Sequence, residues 1–310
     1  MKRKNNLYSE ICKFENIMKS FNEVCKNTKN KRRVSNFKSF KCVYVTQIYN
    51  MLNNKTYKVG KYNIFKIYEP KERIIVSLNM YDKVINNLVS KYILEPSILP
   101  CLIDTNVASR RNMGTKLGLK LRARYDRILK NDYYILKCDI SKFFASIDLE
   151  ILKKKIYRRI KDKDALEIIE SILDSYDGGG ICIGSNSSQI LAIYYLNDLD
   201  HYIKEELKIK YYVRFQDDFL LFHKDKIYLK ECFKKIEIFL QKEGLTLNKK
   251  SRIYSDKDNF IFLGRSKYGK YHNYRKINKN IKSKKSQYIN GNISISSYVS
   301  SMLCYNSLND

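Results

Sequence analysis

Proline, histidine and long apolar runs are all scarce in this chain. Three histidines, and eight cysteines at positions 12, 25, 42, 101, 138, 182, 232 and 304 with no Cys-x-x-Cys, exclude a zinc site of ordinary spacing. Reduced thiols in a cytoplasmic protein are the expectation. The three prolines, Pro70, Pro96 and Pro100, leave most of the chain open to helix and strand. No apolar stretch approaches the ~18 residues of a membrane span; the run from Ile190 to Leu196 is about the longest. The start, Met-Lys-Arg-Lys-Asn-Asn, is basic but lacks an apolar segment and a small-residue cleavage site, so no signal peptide and no membrane partner are expected. No repeat or Pro/Ser-rich linker divides the chain, and Gly178–Gly180 is its one glycine cluster.

Acids are the other shortage. Against 60 Lys and Arg stand 32 Asp and Glu, a net charge of +28. A hydrophobic content of 44% with 13% aromatics is that of a folded protein. At this length a chain buries about three quarters of its unfolded surface. An AT-rich coding sequence enriches Lys, Asn, Ile and Tyr but also offers Asp and Glu codons, so it does not explain the imbalance. A polyanionic partner does, and nucleic acid is the usual one. The excess is localised. Residues 1–60 carry 14 Lys/Arg and 3 Glu, with a cluster at Lys26, Lys29, Lys31, Arg32 and Arg33. From Asn259 to Asn309 nine bases occur with no acid, interleaved with Tyr268, Tyr271, Tyr274 and Tyr288. Aromatic faces among cations suit a groove that follows a nucleic-acid backbone.

Periodicity predicts helices over 8–27, 81–94, 115–131, 149–160, 164–174, 189–207 and 227–243. Strands are expected at 63–68 and 73–78 around a Pro70-Lys71-Glu72 turn, and at 133–140, 211–215, 219–222, 252–254 and 260–264. The implied class is α+β, with helices packed on an antiparallel sheet.

The chemistry lies in the clustered acids. Asp217 and Asp218 sit between apolar strands, flanked by Phe215, Gln216 and Phe219 rather than by the Asn-Gly or Asp-Gly of an ordinary hairpin. Buried carboxylates are costly without a compensating cation. Asp139 ends another apolar strand. Such acids brought together are what a two-metal site needs, since hard Mg²⁺ takes oxygen ligands and a pair of ions about 3.5–4 Å apart supports nucleotidyl transfer.

These residues, in their order, resemble a reverse transcriptase. Phe215-Gln216-Asp217-Asp218 looks like the family's aromatic-x-Asp-Asp hairpin, and Asp139 to Phe144 its first catalytic strand. Ile183 to Gln189, Gly244 to Ser251 and Phe262-Leu263-Gly264-Arg265 resemble the next motif, the fourth motif and the primer grip. Upstream, Glu69 to Ile75 and Asp104 to Thr115 resemble its fingers motifs. Seven blocks thus run in the family's order over about residues 60–265.

The resemblance implies a right-hand polymerase: a basic amino-terminal extension (1–60), fingers (61–132), a palm with part of the fingers (133–265) and a small basic thumb (266–310). It implies two Mg²⁺ ions, or Mn²⁺ in their place, held by Asp139, Asp217 and the Ile140 carbonyl with Asp218 beside them. Lys250 is the expected aid to pyrophosphate departure. Lys71 and Arg73 are expected to hold the triphosphate, Phe144 to exclude a ribose 2′-hydroxyl, and Ile183, Gly184, Gln189 and Gln216 to meet the nucleotide. Arg110, Lys116, Ser188 and the Phe262, Leu263, Gly264 and Arg265 turn are assigned to template and primer. The implied partners are template RNA, an RNA/cDNA duplex and dNTPs.

Ile183 stands where most members have Gln, and Gln189 where they have Pro. That form resembles the enzymes of diversity-generating retroelements, which implies misincorporation opposite template adenines and an accessory protein. The alternatives are an antiphage enzyme of the abortive-infection kind, a retron enzyme, and an inactive RNA-binding polymerase scaffold. Phe215 for Tyr, Lys83 for Arg and Lys116 for His are further departures. No room is expected for an RNase H or endonuclease domain.

Overall fold

A computed structural model describes residues 3–67, 73–267, 269–270 and 274–306. It divides into two compact units, Met1–Asn63 with Val76–Asp258, and Ile64–Ile75 with Asn259–Asp310.

The first unit opens with helices α1 (Tyr8–Ile11), α2 (Phe14–Asn27), α3 (Lys31–Ser39) and α4 (Lys41–Asn53). The single helix expected over 8–27 is broken at Cys12–Lys13, with Lys13 in an extended conformation. Asp162 Oδ2 accepts from the amides of Leu7 and Tyr8 at the start of α1, and Asn16 Nδ2 donates to the Glu10 carbonyl across the break. Strands β1 (Asn63–Ile67) and β2 (Arg73–Ser77), which lie mostly in the second unit, pair as expected; their Pro70-Lys71-Glu72 turn lies outside the described residues. Helix α5 (Met80–Leu88) runs through a π-helical turn, Val89–Leu94, into α6 (Glu95–Ile98). Helix α7 spans Thr115–Leu129.

The central sheet begins with β3 (Tyr134–Asp139). Helices α8 (Phe143–Ser146), α9 (Leu149–Tyr157), α10 (Lys163–Asp174), α11 (Asn186–Tyr195) and α12 (Asn197–His201) follow. Then come β4 (Tyr211–Phe215), β5 (Asp218–His223), α13 (Lys226–Lys242) and β6 (Arg252–Ser255). The strand order is β4-β5-β3-β6, antiparallel throughout, which is the expected α+β class. Helix α13 packs along β3, β5 and β6, and α7 against β4, so the interior residues of β3, β4 and β5 other than Lys137 are buried. The helix expected over 189–207 starts earlier, because the Ser185 hydroxyl caps it by accepting from the Ser188 amide at 3.1 Å. It is interrupted at Leu196 and ends in a second π-helical turn, Tyr202–Glu206.

In the second unit, β7 (Arg265–Ser266) and β8 (Gly269–Lys270) form a short ladder, followed by α14 (Tyr274–Ile289) and α15 (Ile295–Asn306). The strand expected over 260–264 is instead a tight turn. Phe262 and Arg265 exchange two backbone hydrogen bonds, and Leu263 and Gly264 both have positive φ, 51° and 75°. Positive φ at both central residues is the hairpin-turn pattern. Tyr288 stacks on Tyr298 at 4.9 Å, joining α14 to α15, while Tyr268 and Tyr271 lie outside the described residues. Among the described residues no helix is long and apolar enough to cross a membrane.

One ion pair braces the β4–β5 hairpin. Arg214 and Asp200 are both fully buried. The guanidinium donates Nε to Asp200 Oδ1 (2.7 Å) and Nη2 to Asp200 Oδ2 (2.5 Å). Its Nη2 also reaches the Ile193 carbonyl and its Nη1 the Gln216 carbonyl, each at 2.9 Å. Tyr212 donates its hydroxyl to Asp200 Oδ1 at 2.7 Å. The Arg214 backbone bridges to the loop around Asn106. One side chain therefore joins α11, α12, β4 and the hairpin tip.

Removing one partner of such a buried pair strands a charge and costs about 3–5 kcal/mol, whereas replacing both with apolar residues is often tolerated. Chemical denaturation of Arg214→Met is expected to show a loss of that size. Asp200→Leu/Arg214→Met should recover most of it. A double variant as unstable as the single one would contradict the account.

Candidate active site

Three carboxylates meet at one end of the sheet. Asp139 closes β3 and lies directly opposite Asp218, the first residue of β5. Phe215 pairs with Asp218 across the β4–β5 turn, leaving Gln216 and Asp217 as a two-residue loop. Such loops need positive φ at their first central position, usually a glycine. Gln216 takes φ 55° instead, and the Arg214 contact to its carbonyl holds the strained turn in place.

Lys137 lies two residues before Asp139, hence on the same face of β3. Its Nζ is 2.5 Å from Asp218 Oδ1, in a part-buried pair. The Asp218 carboxyl is raised to about 6, first by burial and then by Asp139 and Asp217, against the downward pull of Lys137. Asp218 thus lies under the influence of one ammonium and two further carboxylates.

The segment after α13 wraps Asp139. The amide of Asn248 donates to the Asp139 carbonyl at 2.7 Å, and Asn248 Nδ2 donates to Asp139 Oδ2 at 3.0 Å. Ser251 Oγ accepts from the Asp139 amide at 3.2 Å. Asn248 Oδ1 accepts from the backbone amide of Lys250, whose side chain is exposed. An isolated bridge joins Ile140 to Leu247 through the Asp139 carbonyl and the Ser141 amide, leaving the Ile140 carbonyl outside its hydrogen bonds.

The donor set suits a hard divalent cation: two carboxylates, Asp139 and Asp217, a third beside them, and a backbone carbonyl. The surplus of negative charge around Lys137 fits the same ion. Among the described residues no three His, Cys, Asp or Glu side chains form a closed cage, so the fit rests on two carboxylates and the carbonyl.

Phe143 is buried and Phe144 only partly so, the two rings meeting edge to face at 5.7 Å. The glycine loop packs on this pair. The Ile181 amide donates to the Phe144 carbonyl, and a Cβ on Gly180 (φ 60°) would stand 2.1 Å from that oxygen. Ile183 offers its carbonyl to the Val76 amide, and Gly184 is exposed at φ 130°. Ser188 is buried, its hydroxyl in contact with the Ser185 hydroxyl and the Cys182 thiol.

Gln189 and Gln216 meet through Ser109. Gln216 Nε2 donates to Ser109 Oγ at 2.8 Å, and that hydroxyl donates to Gln189 Oε1 at 3.4 Å. Arg110 turns one Nη inward to the Ile103 and Asn106 carbonyls, whereas Lys116 is exposed near the start of α7. Lys71 lies outside the described residues, and of Arg73 only its place at the start of β2 is described. Phe262, Leu263, Gly264 and Arg265 belong to the second unit.

Sequence reasoning missed Lys137, Asp200, Arg214, Ser109 and Asn248 as parts of the site. Lys137 alone carried a local signal, its two-residue spacing from Asp139 on a strand.

A carboxyl whose pKa is higher in the folded than in the unfolded chain contributes stability fully below its ordinary 3.8 and loses it as pH rises through about 6. In metal-free buffer, Asp218→Asn is therefore expected to melt above the wild type at pH 8, with the gap closing toward pH 4. Melting curves across that range check this; a gap independent of pH would contradict it.

The sequence matches the family model of the reverse transcriptase (RNA-dependent DNA polymerase) over residues 64–266, which include the whole central sheet and all three acids. No curated protein matches it. Among solved structures, apo telomerase from Candida tropicalis, truncated from its C-terminal domain, aligns with a TM-score of 0.50 at 17% identity, over 70% of this chain and 56% of that one. Telomerase from Candida albicans in complex with a TWJ fragment of telomeric RNA aligns with a TM-score of 0.48 at 15% identity, over 67% and 43%. This chain spans about half the length of these telomerases, and the likeness concerns the fold. By the family match, carried by two thirds of its length, the chain belongs to the reverse transcriptases.

Proposed function

We propose that the chain is an RNA-directed DNA polymerase that copies template RNA into cDNA by two-metal nucleotidyl transfer. The observation that carries this reading is the register of Asp139 against Asp218, with Asp217 at the adjoining tip. In this reading residues 61–132 are fingers, 133–265 palm and 266–310 thumb. Asp139, Asp217 and the Ile140 carbonyl are the metal ligands. The chemistry supplied by ions bound there, Mg²⁺ with Mn²⁺ as a substitute, is activation of the primer 3′-hydroxyl and neutralisation of the departing pyrophosphate.

The residues of the chain do the positioning. Lys137 compensates Asp218 and keeps its carboxylate beside the ligand pair. Asn248 orients the Asp139 carboxylate and braces the backbone of Lys250, the exposed cation assigned to the leaving pyrophosphate. Phe144, backed by buried Phe143 and by the loop at Gly180, sets the bulk that excludes a 2′-hydroxyl. Lys71 and Arg73 receive the triphosphate.

The finer reading is mutagenic copying, as in diversity-generating retroelements with an accessory protein. Ile183 supports it, because an aliphatic side chain offers no hydrogen bond to enforce base discrimination. The exposed Gln189 in place of proline agrees with the same form.

Primer extension on an RNA template with dNTPs and Mg²⁺ or Mn²⁺ tests the activity. Asp139→Asn should cut the rate by about 10³-fold, the scale for losing stabilisation of transition-state charge. No extension by the wild type, or an Asp139→Asn variant of equal rate, would overturn the polymerase reading.

Sequencing of the cDNA tests the finer reading. Errors should concentrate at template adenines, and Ile183→Gln should lower them roughly tenfold. Uniform fidelity would remove the retroelement assignment and favour a defence enzyme.

A further inference from the structure

A groove of about 370 Å³ lies where α3, α4 and the start of α5 meet. Its lining includes Arg33, Phe37, Phe40, Tyr44, Asn79 and Tyr81. The aromatics are ordered from the core outward. Phe21 stacks on Phe37 at 4.5 Å, and Phe37 on Tyr44 at 4.6 Å. Phe40 and Tyr81 then meet Tyr44 edge to face at 6.4 and 6.5 Å. Phe40, at the junction of α3 and α4, is 58% exposed. A phenyl ring held that open at the end of a rigid stack has an unused face.

The charge around the groove has one sign. Lys31, Arg32, Arg33, Lys38 and Lys41 surround it in sequence, and no acid occurs between Glu23 and Glu69. Glu23 is already paired with Lys91. The nearest acid on α5, Asp82, is buried and bound to Tyr57, Gly60 and Asn79. Arg33 lies close enough to Lys83 to disfavour its protonation, adding to the effect of burial. Arg33 lines this groove and Lys83 the one beside it, and bases with no acid among the lining residues form a place for an anion.

A second groove of about 210 Å³ has Leu78, Lys83, Asn86, Asn87 and Gly184 among its lining residues. Oδ1 of Asn87 is buried and has no hydrogen-bond partner. An orphan acceptor calls for a donor, and a ribose 2′-hydroxyl is a donor that DNA lacks.

We propose that this track is a binding site for unpaired RNA. A base stacks on Phe40, a phosphate lies between Arg33 and Lys83, and a ribose reaches Asn87, so that a single strand is led toward the loop at Gly184. The identity of that strand as template rests on the polymerase reading; the binding itself does not.

The test is therefore made without catalysis. Fluorescence anisotropy follows the full chain binding an unstructured, unprimed RNA of about 16 nucleotides, a DNA strand of the same sequence, and a fully paired RNA/DNA duplex. Phe40→Ala should weaken RNA binding about tenfold, the scale for one lost stacking contact, and leave the duplex affinity unchanged. Phe40→Trp should restore it. Arg33→Ala should flatten the dependence of log affinity on log salt by about 0.7, one phosphate contact on a single strand. RNA should bind more tightly than DNA, and Asn87→Leu should narrow that preference.

Unchanged RNA binding by Phe40→Ala would overturn the proposal and leave the groove to a protein partner. Equal losses on single strand and duplex would reduce it to a general basic surface and overturn it too, as would DNA binding at least as tightly as RNA. Because Phe40 is exposed, a folded variant is expected, and circular dichroism verifies it. Failure here leaves primer extension and the roles of Asp139 and Asp217 untouched.

Discussion

Everything the hairpin does depends on a guanidinium that no solvent reaches. Arg214 is fully buried and satisfies its donors with Asp200, the Ile193 carbonyl and the Gln216 carbonyl. A buried ion pair of this kind is weak evidence for stability, since an apolar pair fills the same space. Its value is geometric. A planar fork with fixed donor directions accepts one arrangement of its partners. By holding the Gln216 carbonyl it fixes a turn that a non-glycine residue enters at positive φ, and that turn sets where Asp217 and Asp218 point.

The second constraint is electrostatic. Bringing Asp139 opposite Asp218 beside Asp217 concentrates negative charge in a part-buried place, and the rise of the Asp218 pKa to about 6 registers the cost. Lys137 offsets part of it from the same strand face. Asp218 leans on a resident ammonium, while the Asp139 carboxylate is steered by a neutral amide from Asn248 that leaves its charge for a ligand. Two acids of one residue type thus have different partners.

The surplus of positive charge has structure as well. Bases along α14 belong to the second unit, and those around α3 and α4 belong to the first. In the first unit they frame aromatic rings stacked back to the core, an arrangement that long-range attraction alone does not require.

Some of this was legible in the sequence. Alternation and β-branched runs predicted β3, β4 and β5 nearly residue for residue, because a strand buried on both faces must be apolar along its length. The acids were conspicuous since charge is rare in such runs. Other elements were hidden. The start of α1 is held by Asp162, 154 residues from Tyr8. The strand expected at 260–264 is a turn because Leu263 adopts a conformation its side chain disfavours. Helices α3 and α4 went unread because their bases and aromatics spoke first for a ligand. The sequence by itself determined the fold class and the family and made the clustered acids conspicuous, all of which live in local patterns of spacing and burial. The tertiary structure alone decided how those acids are held: Arg214 to Asp200, Asn248 to Asp139, Gln189 to Gln216 through Ser109. Such pairings join residues far apart along the chain, and no local periodicity encodes which polar groups will meet once the core has closed.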